Sequence, residues 1–204
     1  MIYLIITTSI YNRYGTQDGR RERYLYAISE TLKLLPFQIT PIIVENNGKR
    51  ETYLDDFYNI KNVLYTTNNI YIFKSKGVNE LLDIKEVIEK YGMKDDDIIK
   101  LTGRYRILSP QFFNDVIENE NNYDAFIKFY GTCSLQFEEY DCILGCYAIR
   151  ARFLKLWNHL SIDNYKSAEV AFARYVRFCG ARLKEIQQLN IECSFSEDSR
   201  LLIV

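Results

Sequence analysis

Short apolar runs that close on polar residues alternate along this chain with longer stretches whose apolar positions recur every three to four residues. Residues 2–8, Ile-Tyr-Leu-Ile-Ile-Thr-Thr, are too few for a helix and rich in β-branched side chains, so they predict a buried strand. A polar loop over 9–19 leads to a helix from Arg20 to about Leu35. Its Tyr24, Leu25, Ile28, Leu32 and Leu35 keep a period near 3.6, and Pro36 stops it. Pro41–Val44 and Asn62–Tyr65 predict the second and third strands, with a short helix over 52–59 between them. Ser75 caps a helix that runs to about Tyr91 and ends at Gly92. Ile98–Leu101 predicts the fourth strand. Ser109-Pro110 opens a helix over Phe112, Phe113, Val116 and Ile117. Residues 124–130 and 142–149 predict strands five and six around a loop over 131–141. The sixth leads into a helix through Phe153, Leu156 and Trp157, with His159 after it. Ser167 caps a last helix over 168–178. The tail carries a strand near 191–195, and its apolar end, Leu201–Val204, allows either a final strand or continuation into a further domain.

Strands alternating with helices predict an α/β domain around a mostly parallel sheet. Ligands of such sheets bind at the carboxyl ends of the strands. Here those ends carry Thr7, Thr8 and Ser9 after the first strand, and Glu45 and Asn46 after the second. The fourth strand continues into Thr102-Gly103-Arg104-Tyr105. Strand alternation puts Lys100, Thr102 and Arg104 on one face, and Gly103 allows a turn or a close approach. Two cations and a hydroxyl there suit an anion such as a diphosphate; an edge strand with solvated cations is the alternative. Arg20, Arg21 and Arg23 in the first turn of the first helix oppose its dipole, which an anion nearby would relieve. Solvated arginines explain them equally well.

Composition narrows the class. The 204 residues, 48% hydrophobic and 26% charged, fit one ordinary globular domain. A net charge of −1 does not suggest a nucleic-acid partner. No apolar run approaches the length of a transmembrane segment, and the first residues read as a strand, not a signal peptide. The five cysteines, 133, 142, 146, 179 and 193, include no Cys-x-x-Cys pair, which predicts reduced, packed thiols and a cytoplasmic location. One histidine, His159, argues against a Ser/His/Asp triad or a histidine-rich zinc site.

The element order, together with Lys-Gly-Val-Asn-Glu-Leu-Leu at 76–82, Lys100–Tyr105 and Ser-Ala-Glu at 167–169, resembles the GT-A-fold nucleotide-sugar glycosyltransferases. It is most similar to small single-domain forms of large DNA viruses and bacterial polysaccharide loci, for which a host-cytoplasmic location would follow in the viral case. The resemblance implies a three-layer α/β/α sandwich with a mixed, mostly parallel central sheet, in one domain spanning 1–204. The nucleotide half would cover about 1–105 and the acceptor half about 106–204. It implies a nucleotide-sugar donor, UDP-linked by preference, and a glycan or other hydroxyl acceptor. By position it implicates Thr7, Thr8, Ser9, Glu45 and Asn46 with the nucleoside, and Arg20, in the basic stretch after the first strand, is a further candidate for binding the nucleotide donor. Lys76, Asn79, Lys100, Thr102, Gly103 and Arg104 would lie by its diphosphate or sugar. Glu169 is the implied general base, and Asp141 the second choice.

One departure bears on cofactors. Family members mostly hold Mn²⁺ or Mg²⁺ on an Asp-x-Asp motif at the carboxyl end of the fourth strand. Here Asp95-Asp96-Asp97 precedes that strand, about 17 Å from its other end, and reads as turn or solvated charge. Thr102-Gly103-Arg104 stands where the motif would be, so dependence on Mn²⁺ or Mg²⁺ stays open. Two other functions remain: a sugar nucleotidyltransferase of the same fold, and a catalytically silent module that binds nucleotide or glycan.

Overall fold

A computed structural model describes residues 1–11, 17–48, 52–57, 62–130, 141–163, 167–195 and 200–204. Seven strands form the central sheet: β1 (Ile2–Thr8), β2 (Ile39–Glu45), β3 (Val63–Tyr65), β4 (Asp97–Thr102), β6 (Ala125–Ile127), β7 (Cys146–Arg150) and β8 (Leu183–Glu185). Their order is β3-β2-β1-β4-β7-β6-β8. All pairings are parallel except those of β7, which runs antiparallel to β4 and β6. A second sheet joins β5 (Arg106–Ile107), β9 (Ile191–Ser194) and β10 (Leu201–Ile203) in the order β10-β9-β5.

Alternation along β1 divides the core. Ile2, Leu4 and Ile6 face one side, packed with Tyr24 and Ile28 of α1 (Gln17–Lys33) and Phe112, Phe113 and Val116 of α3 (Gln111–Asn119). Tyr3 and Ile5 face the other, against Val78, Leu81 and Ile84 of α2 (Lys76–Lys90). That layer also holds α4 (Ala151–Leu156), α5 (His159–Asp163) and α6 (Ala168–Phe178). The result is the expected three-layer sandwich with a mixed, mostly parallel sheet.

Several expectations change in detail. The first helix begins at Gln17, about a turn early, so Asp18 complements the dipole, Arg20 closes the first turn, and Arg21 and Arg23 fall behind it. Their placement therefore needs no anion. The sixth strand begins at Cys146, not at 142, because Leu144 and Gly145 turn the chain: Leu144 N–H donates to Cys142 at 3.1 Å. Strands β5 and β8 carry no sequence signal; they are two and three residues long, each with a single apolar residue. Residues 52–57 form a 3₁₀ turn, and the rest of the expected 52–59 helix lies outside the described residues, as do residues 12–16 of the first loop and 131–140 of the later one.

Candidate functional site

The order of strands fixes where a site can form. From β1 the chain moves outward through β2 and β3, then returns to lay β4 on the other side of β1. The carboxyl ends of β1 and β4 are the topological switch point, where loops diverge and leave a crevice. Thr7 and Thr102 are register partners there. Glu80, from the second turn of α2, reaches between them. Its Oε1 accepts from the Thr7 hydroxyl and from Thr102 Oγ1 at 3.3 Å, and meets Lys100 Nζ at 2.9 Å. Lys100 Nζ also donates to Thr102 Oγ1 at 2.7 Å and to the Leu144 carbonyl at 3.0 Å. The turn that shortens β7 thus supplies an acceptor to the floor of the crevice.

Lys100 is 1% exposed and Glu80 24%. Burial alone would raise the Glu80 carboxyl, but Lys100, the Thr7 hydrogen bond and Arg104 outweigh it and hold it below its ordinary value. Burial pulls the Lys100 ammonium down, with Glu80 opposing. Lys100 and Thr102 share a face, as alternation requires. Arg104 does not join them, because the chain turns after Thr102: Tyr105 N–H donates to the Thr102 carbonyl at 2.8 Å. The Arg104 guanidinium instead donates to the Ser194 carbonyl at 2.6 Å and lies over the Tyr105 ring. Gly103 makes a close approach to protein, not to a ligand-sized gap. A Cβ there would stand 2.9 Å from the Thr7 carbonyl oxygen and 2.7 Å from Thr8 Cγ2.

A second polar cluster caps β2. Glu45 is fully buried, accepting from Tyr53 OH at 2.6 Å and from Ile10 N–H at 3.0 Å. Burial and the Glu45 charge push the Tyr53 hydroxyl up, so it stays a donor. Thr8 Oγ1 donates to the Val44 carbonyl, and Ser9 N–H to the Tyr24 hydroxyl. Asp83 of α2 gathers the loops after β2 and β3. It accepts from Thr66 Oγ1 at 2.5 Å, Asn68 Nδ2 at 2.8 Å and Asn46 Nδ2 at 3.1 Å. Burial exceeds these bonds and pushes the Asp83 carboxyl up to about 7. When it is protonated, its O–H needs an acceptor. Turning the Asn46 amide end for end supplies Oδ1, which is buried without a partner as it stands.

In the unfolded chain Asp83 titrates near 3.9. Between about pH 4 and 7 the folded protein holds a proton that the unfolded chain has released, so this group's stabilising effect falls as pH rises through that window. Urea midpoints at pH 5 and pH 8 should therefore drop further for the wild type than for Asp83→Asn. Equal drops would remove Asp83 as the cause.

The remaining expected residues lie around this edge or brace it. Lys76 opens α2 behind the Ser75 cap. Asn79 Nδ2 holds the carbonyls of Asn68 at 2.6 Å and Tyr71 at 3.1 Å, fixing the loop before α2. Arg20 Nη1 donates to Tyr24 OH at 3.4 Å within its own helix. Asp141 is buried, and its Oδ1 accepts from Cys142 N–H at 2.8 Å. Glu169, in the first turn of α6, accepts from Ser167 Oγ through Oε2 at 2.8 Å, and its carbonyl receives the Cys142 thiol at 3.3 Å. Burial raises the Cys142 thiol well above its ordinary value, and the charges of Glu169 and Asp141 add to this while Lys100 opposes them. Cys142 thus links the segments that carry Asp141 and Glu169.

Glu80 and Asp83 were not anticipated. Their signal was available: two acids at i and i+3 within the buried stripe of Val78, Leu81, Ile84 and Val87, where an unpaired carboxylate is costly. Asp95 and Asp96 lie at the amino end of β4 as expected. Asp97, expected to be solvated, is instead buried beside Arg150, and burial pushes its carboxyl up to about 6. The end of β4 does not fit a divalent cation. Thr102 Oγ1 already accepts from Lys100, and the neighbouring Arg104 is itself a cation. Among the described residues no group of three or more histidines, cysteines and acids is placed to hold a metal. None of the described helices is long and apolar enough to cross a membrane.

No protein-family model matches the sequence, and no curated protein does. Solved structures match in fold. A 4-diphosphocytidyl-2C-methyl-D-erythritol synthase from Anaerococcus prevotii superposes with a TM-score of 0.58 at 14% identity, over 97% of this chain and 92% of that one. A candidate nucleotide-diphospho-sugar transferase from Desulfovibrio desulfuricans G20 gives 0.57 at 8% identity, over 90% and 78%. Protein A197 from STIV gives 0.52 at 13%, over 100% and 94%. The chain has the fold of the nucleotide-diphospho-sugar transferases.

Proposed function

We propose that this chain is a single-domain enzyme that moves a glycosyl group from a nucleotide-sugar donor, UDP-linked by preference, to a hydroxyl of a glycan or similar acceptor. One observation carries the reading: the Glu80–Lys100 pair, set between the Thr7 and Thr102 hydroxyls at the β1/β4 switch point. The nucleoside lies over the ends of β1 and β2, near Thr8, Ser9, Glu45 and Asn46. The diphosphate lies over Thr102, Gly103 and Arg104 and the start of α2 at Lys76. The acceptor enters from the half formed by residues 106–204. A carboxylate, Glu169 before Asp141, takes the acceptor proton as the new bond to the anomeric carbon forms, and the nucleotide diphosphate leaves with the electrons of the broken bond. No step runs through a metal. We place the chain in a reducing, cytoplasmic compartment, which Cys142 and Cys146, buried and outside any disulfide, support.

Thermal unfolding with UDP, GDP and CDP tests the donor site. A diphosphate at 100 times its dissociation constant should add about 2.7 kcal/mol of stability. No shift with any of the three at millimolar concentration would reject it. Turnover followed by mass with UDP- and GDP-sugars separates the alternatives. A nucleotidyltransferase would release pyrophosphate from a nucleoside triphosphate instead, and a silent module would turn over nothing.

A further inference from the structure

Between β3 and α2 the chain presents Ile70-Tyr71-Ile72-Phe73-Lys74-Ser75-Lys76. Ile70 is 70% exposed and Ile72 99%, with Tyr71 exposed between them. Three consecutive large apolar residues in water are unfavourable and mark an interaction site. The exposure is not a product of a loose loop. Asn79 holds the Asn68 and Tyr71 carbonyls, and Ile70 and Tyr71 N–H donate back to Thr67 and Asn68. Behind the tip, the Phe73 and His159 rings pack at a steep angle with centroids 6.2 Å apart, which ties the tip to α5. The next cations in sequence are Lys74 and Lys76.

We propose that this tip docks the protein on an anionic lipid bilayer. A side chain 99% exposed stands on a convex surface, so a protein partner would need a matching hole. A bilayer needs none: its interface accepts isoleucine and tyrosine directly, and its negative headgroups attract the exposed Lys74 that follows Phe73. The tip leads straight into α2, whose second turn carries Glu80 into the switch-point crevice. Docking would therefore turn the crevice towards the membrane. Taken with the proposed transfer reaction, on which this step rests, it makes the acceptor a hydroxyl anchored at a bilayer surface.

The test is flotation of the full chain with vesicles of phosphatidylcholine alone and of phosphatidylcholine with phosphatidylglycerol. The chain should float with the anionic vesicles and much less with the neutral ones. Ile70→Asp/Ile72→Asp should weaken partitioning at least tenfold, and Lys74→Gln about fivefold. Both isoleucines are exposed, so the variant should unfold at the wild-type temperature. Absence of flotation with anionic vesicles overturns the proposal, as does flotation of the aspartate variant at the wild-type level. So does a wild-type dimer in sedimentation velocity that the variant dissolves, because a second copy would then cover the tip. A wild type that floats yet shows no thermal shift with UDP, GDP or CDP would reject the donor site and leave the docking surface standing.

Discussion

Glu169→Gln should lower the turnover number about 10²–10⁴-fold with little change in donor affinity. A sugar hydroxyl is a weak nucleophile until its proton leaves as the new bond forms. The site has one histidine to consider, His159, and its ring packs against Phe73 on the α5 side. A carboxylate is the remaining choice, and α6 presents Glu169 in its first turn with Ser167 orienting Oε2. Glutamine keeps the shape and the bond from Ser167 but cannot take the proton. Thermal shift with nucleotide diphosphate, measured beside turnover, separates lost chemistry from lost binding. Near-normal turnover would move the base to Asp141, whose carboxyl accepts from Cys142 N–H.

Lys100→Met should destabilise the fold by about 3 kcal/mol, the lower end for removing one partner of a buried pair, because Glu80 keeps some solvent access. For a domain of this size that is roughly 6–12 °C in unfolding temperature. The loss arises from the charge left behind: Glu80 would keep Thr7 and Thr102 as donors but lose its counter-ion in a floor closed by the Leu144 turn. Adding Glu80→Gln should recover much of the loss, with a coupling of about 2 kcal/mol in the double-mutant cycle. A single variant within about 0.5 kcal/mol of the wild type would show the pair to be energetically idle.

The fold was largely legible because long apolar runs announce themselves. The seven buried residues of β1, the stripe of α2 and the Ser75 and Ser167 caps all sit where period and capping chemistry put them. The short charged strands β5 and β8 were invisible, since they are held by neighbours and not by their own pattern. At the site, Lys100 was conspicuous as a cation in a buried strand, but its partner was not. Charge on a strand and charge on a helix 20 residues earlier become neighbours only through the crossover. Arg104 leaves the face of Lys100 and Thr102 for a local reason, the turn at Thr102 that ends alternation.

The placement of β1 between β2 and β4 has a kinetic consequence. Thr7 and Leu101, whose atoms meet at the switch point, are 94 residues apart in sequence. The crevice floor also needs the Leu144 carbonyl, 44 residues beyond Lys100. Closing such loops loses entropy before any contact compensates, which slows folding and puts distant pairings late. Nucleotide binding, monitored during refolding, would then rise with the slowest phase and serve as a clock for completion of the sheet. The locally built helices α1 and α2 would gain their circular-dichroism signal well before it.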